Sequence, residues 1–168
     1  MAEDVLVVDR LKITYEGFMN LSELHLMLTE WFKEQGYDWI ETMNQEINRS
    51  TGRDIVWIFR PEKTISNDYY KAIIQLRIHG VDINDATVNH EGRQVTVDYG
   101  HLKIVVSAYL RLNTWGKVSS DTKVWILSWL RDNFFGSKVT LEQKQFVSEQ
   151  VDDVIYRMKS YLNMFKEY

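Results

Sequence analysis

Residues 70–79 read Tyr-Lys-Ala-Ile-Ile-Gln-Leu-Arg-Ile-His. Tyr70, Ala72, Ile74, Leu76 and Ile78 fall on one side, and Lys71, Gln75, Arg77 and His79 on the other. A period of two is the spacing of a strand with one buried and one wet face. The pattern returns downstream. Val95, Val97 and Tyr99 oppose Gln94, Thr96 and Asp98, and Leu102, Ile104, Val106, Ala108, Leu110 and Leu112 oppose Lys103, Ser107, Tyr109 and Arg111. Turn signals recur at Ser50-Thr51-Gly52, Ile65 to Asp68, Asp82 to Asp85, His90-Glu91-Gly92 and Tyr99-Gly100. Short connections favour hairpins, so residues 37–113 are predicted to form an antiparallel meander of about six strands. Within it Trp57 and Phe59 alternate with Val56 and Ile58, leaving both faces of one strand apolar.

On the N-terminal side, Val5, Val7, Leu11, Ile13 and Tyr15 alternate with Arg10, Lys12, Thr14 and Glu16, a further half-buried strand that Gly17 is expected to end. Asn20-Leu-Ser-Glu23 has the form of a capping box. Leu21, Leu24, Leu28 and Trp31 then mark one helical stripe, with Gly36 as its stop. On the C-terminal side, residues 122–135 are apolar almost all round and are predicted as a short helix closed by Gly136. Thr140-Leu-Glu-Gln143 reads as a second capping box, opening a helix that runs nearly to Tyr168 with Val147, Val151, Val154, Met158, Tyr161 and Phe165 on one face.

The expected fold is one α+β domain over residues 1–168, in the order β-α-β6-α-α. A curved antiparallel sheet of about seven strands packs against a long C-terminal helix, the element large enough to cover its apolar face. This order resembles the helix-grip fold of the START and Bet v 1 superfamily, although the chain has one helix after the first strand where that family usually has two. The resemblance implies that first and last strands are neighbours. It also implies an apolar ligand between sheet and helix, lined here by Ile74, Leu76, Val97, Ile104, Val106, Val154 and Met158.

Composition narrows the function classes. The 168 residues are 45% hydrophobic and 13% aromatic, with one proline and no cysteine, which suits one domain with a sizeable core. Disulfide frameworks, cysteine-ligated metals and cysteine nucleophiles are excluded. The net charge of −4 lies mostly in residues 1–60, where 11 acids face 6 bases, so a dedicated nucleic-acid binder is not indicated. The acidic Met-Ala-Glu-Asp start and the lack of a long apolar run lead to an expectation of a cytoplasmic chain without a transmembrane segment. Glycines sit singly, so neither a dinucleotide fingerprint nor a Walker loop can be written.

Four constellations remain. His79 and His101, with Asp82 and Asp85, are expected at one end of the sheet and make a conceivable metal or acid–base cluster. Glu149, Asp152 and Asp153 cluster on the last helix, where Asp153 and Arg157 have the spacing of a surface ion pair. If first and last strands are neighbours, Arg10, Lys12, Lys103 and Arg111 gather into a basic patch with Tyr109 between and Lys71 and Arg77 further along. Trp125, Trp129, Phe134 and Phe135 crowd one helix and read as core packing, as the wall of a ligand cavity, or as a surface for a partner or a second copy.

The reading that follows is a non-catalytic binding protein, not an enzyme and without a cofactor, taking a lipid-like or other hydrophobic ligand. The alternative is an assembly module that uses helix 122–135 as a homodimer or partner surface.

Overall fold

The computed structural model describes residues 3–65, 70–112 and 136–167. It is an α+β protein with a six-stranded antiparallel sheet and a long C-terminal helix. In chain order these are β1 (Glu3–Met19), α1 (Leu21–Glu34), β2 (Glu41–Arg49), β3 (Gly52–Phe59), β4 (Glu62–Ile65), β5 (Tyr70–His90), β6 (Arg93–Leu112) and α2 (Gly136–Met164), with a 3-10 turn at Phe165–Glu167. The predicted helix 122–135 lies outside the described residues.

The sheet order is β1-β6-β5-β3-β2, so the first and last strands are neighbours. β3 and β4 follow each other along one side of β5, with Arg60 and Pro61 between them. Proline cannot donate to a ladder, and its carbonyl accepts the Ile74 N–H at 3.1 Å.

The expected seven strands are six because two turn signals do not reverse the chain, which removes two, while the break at Arg60-Pro61 separates β3 from β4 and adds one. β5 and β6 run unbroken through Asp82–Asp85 and Tyr99–Gly100, with a register shift between Val81 and Asn84. Asp82 takes φ 53° and its N–H donates to Asp54 Oδ1 at 3.2 Å, while Thr51 donates to Asp82 Oδ1 at 2.6 Å. The polar residues therefore build a β-bulge. Gly100 lies against it, and a Cβ there would come within 2.6 Å of Ile83 Cδ1 and 2.9 Å of the Asp82 carbonyl. The reversal does occur at Glu91-Gly92, where both φ angles are positive (50° and 78°), as in a type I′ hairpin turn. β1 likewise continues past Gly17 to Met19.

The helix ends follow local chemistry. Asn20 accepts the Glu23 N–H at 3.2 Å, one half of the capping box. Glu23 spends its own carboxylate on the Tyr161 hydroxyl, 3.1 Å away. At the other end Gly36 takes φ 79°, the Tyr37 N–H donates to Phe32 O at 2.8 Å, and the Gly36 N–H donates to Lys33 O at 3.0 Å. This is a Schellman motif, closed by the Phe32 and Tyr37 rings at 5.3 Å. As described, α2 begins at Gly136, so Thr140 lies within it rather than at its first residue.

One core unites these elements. Leu21, Leu24, Leu28, Trp31 and Phe32 of α1 and Val147, Val151, Val154, Met158 and Leu162 of α2 are buried together with Ile55, Trp57, Phe59, Ala72, Ile74, Leu76, Ile78, Ile104, Val106, Ala108 and Leu110 of the sheet. Trp57 and Phe59 thus face the core, and Val56 and Ile58 face out.

Candidate functional site: the outer face of the sheet

Alternation sends every second residue of the central strands away from the helices. Two rows cross the sheet on that face. One runs Lys12, Val105, Arg77, Ile58, Met43, and the next runs Thr14, Lys103, His79, Val56, Gln45. Lys103 stands directly beside His79 and diagonal to both Lys12 and Arg77. Such neighbours have Cβ atoms about 5 Å and about 7 Å apart. Lys12, Arg77, His79 and Lys103 are exposed, and no acid among the described residues pairs with any of them.

The basic patch expected from the sequence is therefore relocated. Asp4 and Arg111 are register partners, and the guanidinium grips the carboxylate at 2.6 and 2.9 Å. That bond holds the Asp4 carboxyl below its ordinary range and raises the Arg111 guanidinium. Arg10 sits in a bulge with φ 43° and lies 3.4 Å from Asp9. Lys71 donates to Glu62 at 2.9 Å. Lys12 and Lys103 have no acidic partner among the described residues, and Arg77 joins them.

The conceivable histidine cluster is not assembled. His79 and His101 share the outer face, but Asp82 is held by Thr51 and Asp85 lies 3.6 Å from Arg53. His101 Nδ1 is 3.6 Å from Glu16. Among the described residues no group of three or more such side chains is placed to hold a metal. On α2, Asp153 accepts from Arg157 at 3.3 Å, the surface pair its spacing implied. It also accepts the Trp31 indole N–H at 2.9 Å, a link from α1 to α2 that spacing alone cannot show. Glu149 accepts from Gln145 at 2.9 Å, and Asp152 is exposed.

Of the seven expected ligand-lining residues, Ile74, Leu76, Ile104, Val106, Val154 and Met158 share the core and have 0% exposure, while Val97 is 7% exposed and lies further out on the β5–β6 hairpin. A side chain without accessible surface borders no void wide enough for a water molecule. Trp125, Trp129, Phe134 and Phe135 lie outside the described residues.

One constellation escaped the sequence reading. His25 Nε2 lies 3.1 Å from Glu41 Oε2, and its ring meets Phe59, Trp57 and Trp39 edge to face at 5.2, 5.3 and 6.0 Å. Asn44 steadies the carboxylate at 2.7 Å. The partners come from α1, β2, β3 and the segment before β2, so no local spacing announces them. The pair fastens α1 to the β2–β3 hairpin.

No protein-family model and no curated protein matches the chain. No helix among the described residues is long and apolar enough to cross a membrane.

Proposed function

We propose that the chain is a non-catalytic binding protein that takes an anionic partner on the outer face of its sheet. The observation that carries this is the cluster Lys12, Arg77 and Lys103, which no acid among the described residues neutralises, on a chain whose net charge is −4. Like charges on neighbouring strands cost a few tenths of a kcal/mol each, so a partner bearing phosphates or carboxylates would relieve that cost. Three cations at an anionic surface contribute about 3 kcal/mol, which makes binding weak and sensitive to salt. The two rows carry no Phe, Tyr or Trp, and His79 is their one ring, so the platform for base stacking is small. That favours a surface of acidic headgroups over single-stranded nucleic acid.

Vesicles with and without acidic lipid, together with a single-stranded oligonucleotide, test this in sedimentation. Binding to acidic vesicles at low salt, lost in Lys12→Glu/Arg77→Glu/Lys103→Glu, is the expected result. Binding that ignores the triple substitution, or no binding to either probe, refutes it.

A second reading keeps the apolar ligand between sheet and α2. It rests on the resemblance to the helix-grip fold, supported by the pairing of β1 with β6 and by the buried stripe of α2. Because the lining side chains are closed over, such a ligand enters only if α2 parts from the sheet. Co-purified fatty acid in native mass spectra supports this reading, and ligand-free protein that resists loading defeats it.

A further inference from the structure

The sheet has two outer edges, and they are treated differently. A strand at an edge carries unpaired N–H and C=O groups that another strand can join. β1 is broken by two register shifts, between Leu6 and Val8 and between Val8 and Leu11, and Arg10 stands within the second with a positive φ. Bulges of this kind are a common defence against edge-to-edge pairing. β2 has one shift, at its start between Glu41 and Met43, and then runs regularly to Arg49. It contains no proline, and all nine of its residues are exposed. No described strand lies on its outer side.

Its sequence is Glu-Thr-Met-Asn-Gln-Glu-Ile-Asn-Arg. Met43 and Ile47 are 36% and 49% exposed, two aliphatic side chains on an otherwise polar strand. Both face the outer side of the sheet, since their register partners are Ile58 and Asp54 in the row pattern that also sets Gln45 opposite Val56. An antiparallel second copy centred on Gln45 sets Met43 against Ile47, twice. It sets Asn44 against Glu46 and Gln45 against itself, while the end residues Glu41 and Arg49 keep their partners His25 and Asp54 within the copy. Centring on Glu46 instead opposes two carboxylates, and centring on Asn44 sets Met43 against Gln45 and leaves the two aliphatic residues unmatched. One register therefore matches the two aliphatic residues and opposes no like charges.

We propose that two copies of this chain join through β2, antiparallel about a two-fold axis at Gln45, so that one sheet runs through both. The proposal is independent of the anionic-partner reading.

The absence of cysteine makes the test direct, because a substituted thiol is the sole one in the chain. Opposed residues of an antiparallel pair have Cβ atoms about 5 Å apart, close enough for a disulfide. Gln45→Cys is expected to oxidise to a covalent dimer at least about tenfold faster than Thr14→Cys, an exposed control on β1, while wild type shows a concentration-dependent dimer in sedimentation. Met43→Lys and Ile47→Glu should each weaken self-association about tenfold, and mixing the two should restore it through a Lys–Glu pair. A wild-type monomer at every concentration, equal cross-linking at the two positions, or a dimer indifferent to both β2 substitutions overturns the proposal.

Discussion

Asp98 on β6 accepts the backbone N–H of Leu21, the first residue of α1, at 3.0 Å across 77 residues of sequence. Its other carboxylate oxygen binds the Arg53 guanidinium from β3. One buried acid thus fixes the start of a helix and two strands. Asp98→Ala strands the Leu21 amide and a half-buried arginine, at an expected cost of about 3 kcal/mol. Asp98→Asn keeps an acceptor and should lose about half of that. Urea midpoints measure both, and equal losses would contradict the ranking.

The Trp31–Asp153 bond should matter more than the Arg157–Asp153 pair. A hydrogen bond to a charged group is worth about 1.5 kcal/mol or more, and an exposed i,i+4 pair about 0.4. A double-mutant cycle of Trp31→Phe with Asp153→Ala is expected to give a coupling of about 1 kcal/mol, and Arg157→Ala with Asp153→Ala less than half of it. The reverse order would mean that the indole bond is incidental.

Gly100→Ala drives a Cβ into Ile83 and the Asp82 carbonyl, so a loss of about 2–3 kcal/mol is expected. Gly92 has open space around it, and its cost arises from φ 78° alone, about 1 kcal/mol. Thermal melts of the two alanine variants should therefore differ clearly. Equal melting temperatures would show that the bulge yields.

Asp4 gives the fold an acid-sensitive contact. Its carboxyl titrates below its usual value because Arg111 holds the charged form. The stabilisation is thus present above the unfolded carboxylate range, about pH 4, and is lost as pH falls through the lower folded value. Asp4 is partly exposed, so the amount is about 0.5 kcal/mol. Asp4→Asn should be less stable than wild type at pH 7 and equal to it near pH 2. A gap that persists in acid would point to another cause.

Whatever repeats along the chain was readable from it. The stripe of α1 falls on Leu21, Leu24, Leu28 and Trp31, and that of α2 on Val147, Val151, Val154 and Met158, all buried as their periods require. The alternation of β5 and β6 likewise separates Ile74, Leu76 and Ile104 from Arg77, His79 and Lys103. Asp82–Asp85 and Tyr99–Gly100 misled because polar residues and glycine serve a bulge and a close approach as well as a turn. The charged patch was half legible. The resemblance to the helix-grip fold put Lys12 near Lys103, but only the register shows that Asp4 cancels Arg111 while no described acid pairs with Arg77. The His25 nest was not legible, since its partners meet only after α1 folds onto β2 and β3.

The pairing of β1 with β6 sets a timetable for the nascent chain. Tyr15 pairs with Leu102 and Asp4 with Arg111, so the first strand has no ladder until the last has been made. At roughly 5–20 residues per second, those intervening residues take several seconds to synthesise. Throughout that interval Val5, Ile13 and Tyr15 have no sheet to cover them, and α1 lacks its Asp98 contact. The β5–β6 hairpin, local and closed by Glu91-Gly92, can form as soon as it emerges, and β1 then adds to a template already built. The sheet therefore closes only once β6 has emerged, and an N-terminal fragment ending before Asp98 would keep its first strand unpaired.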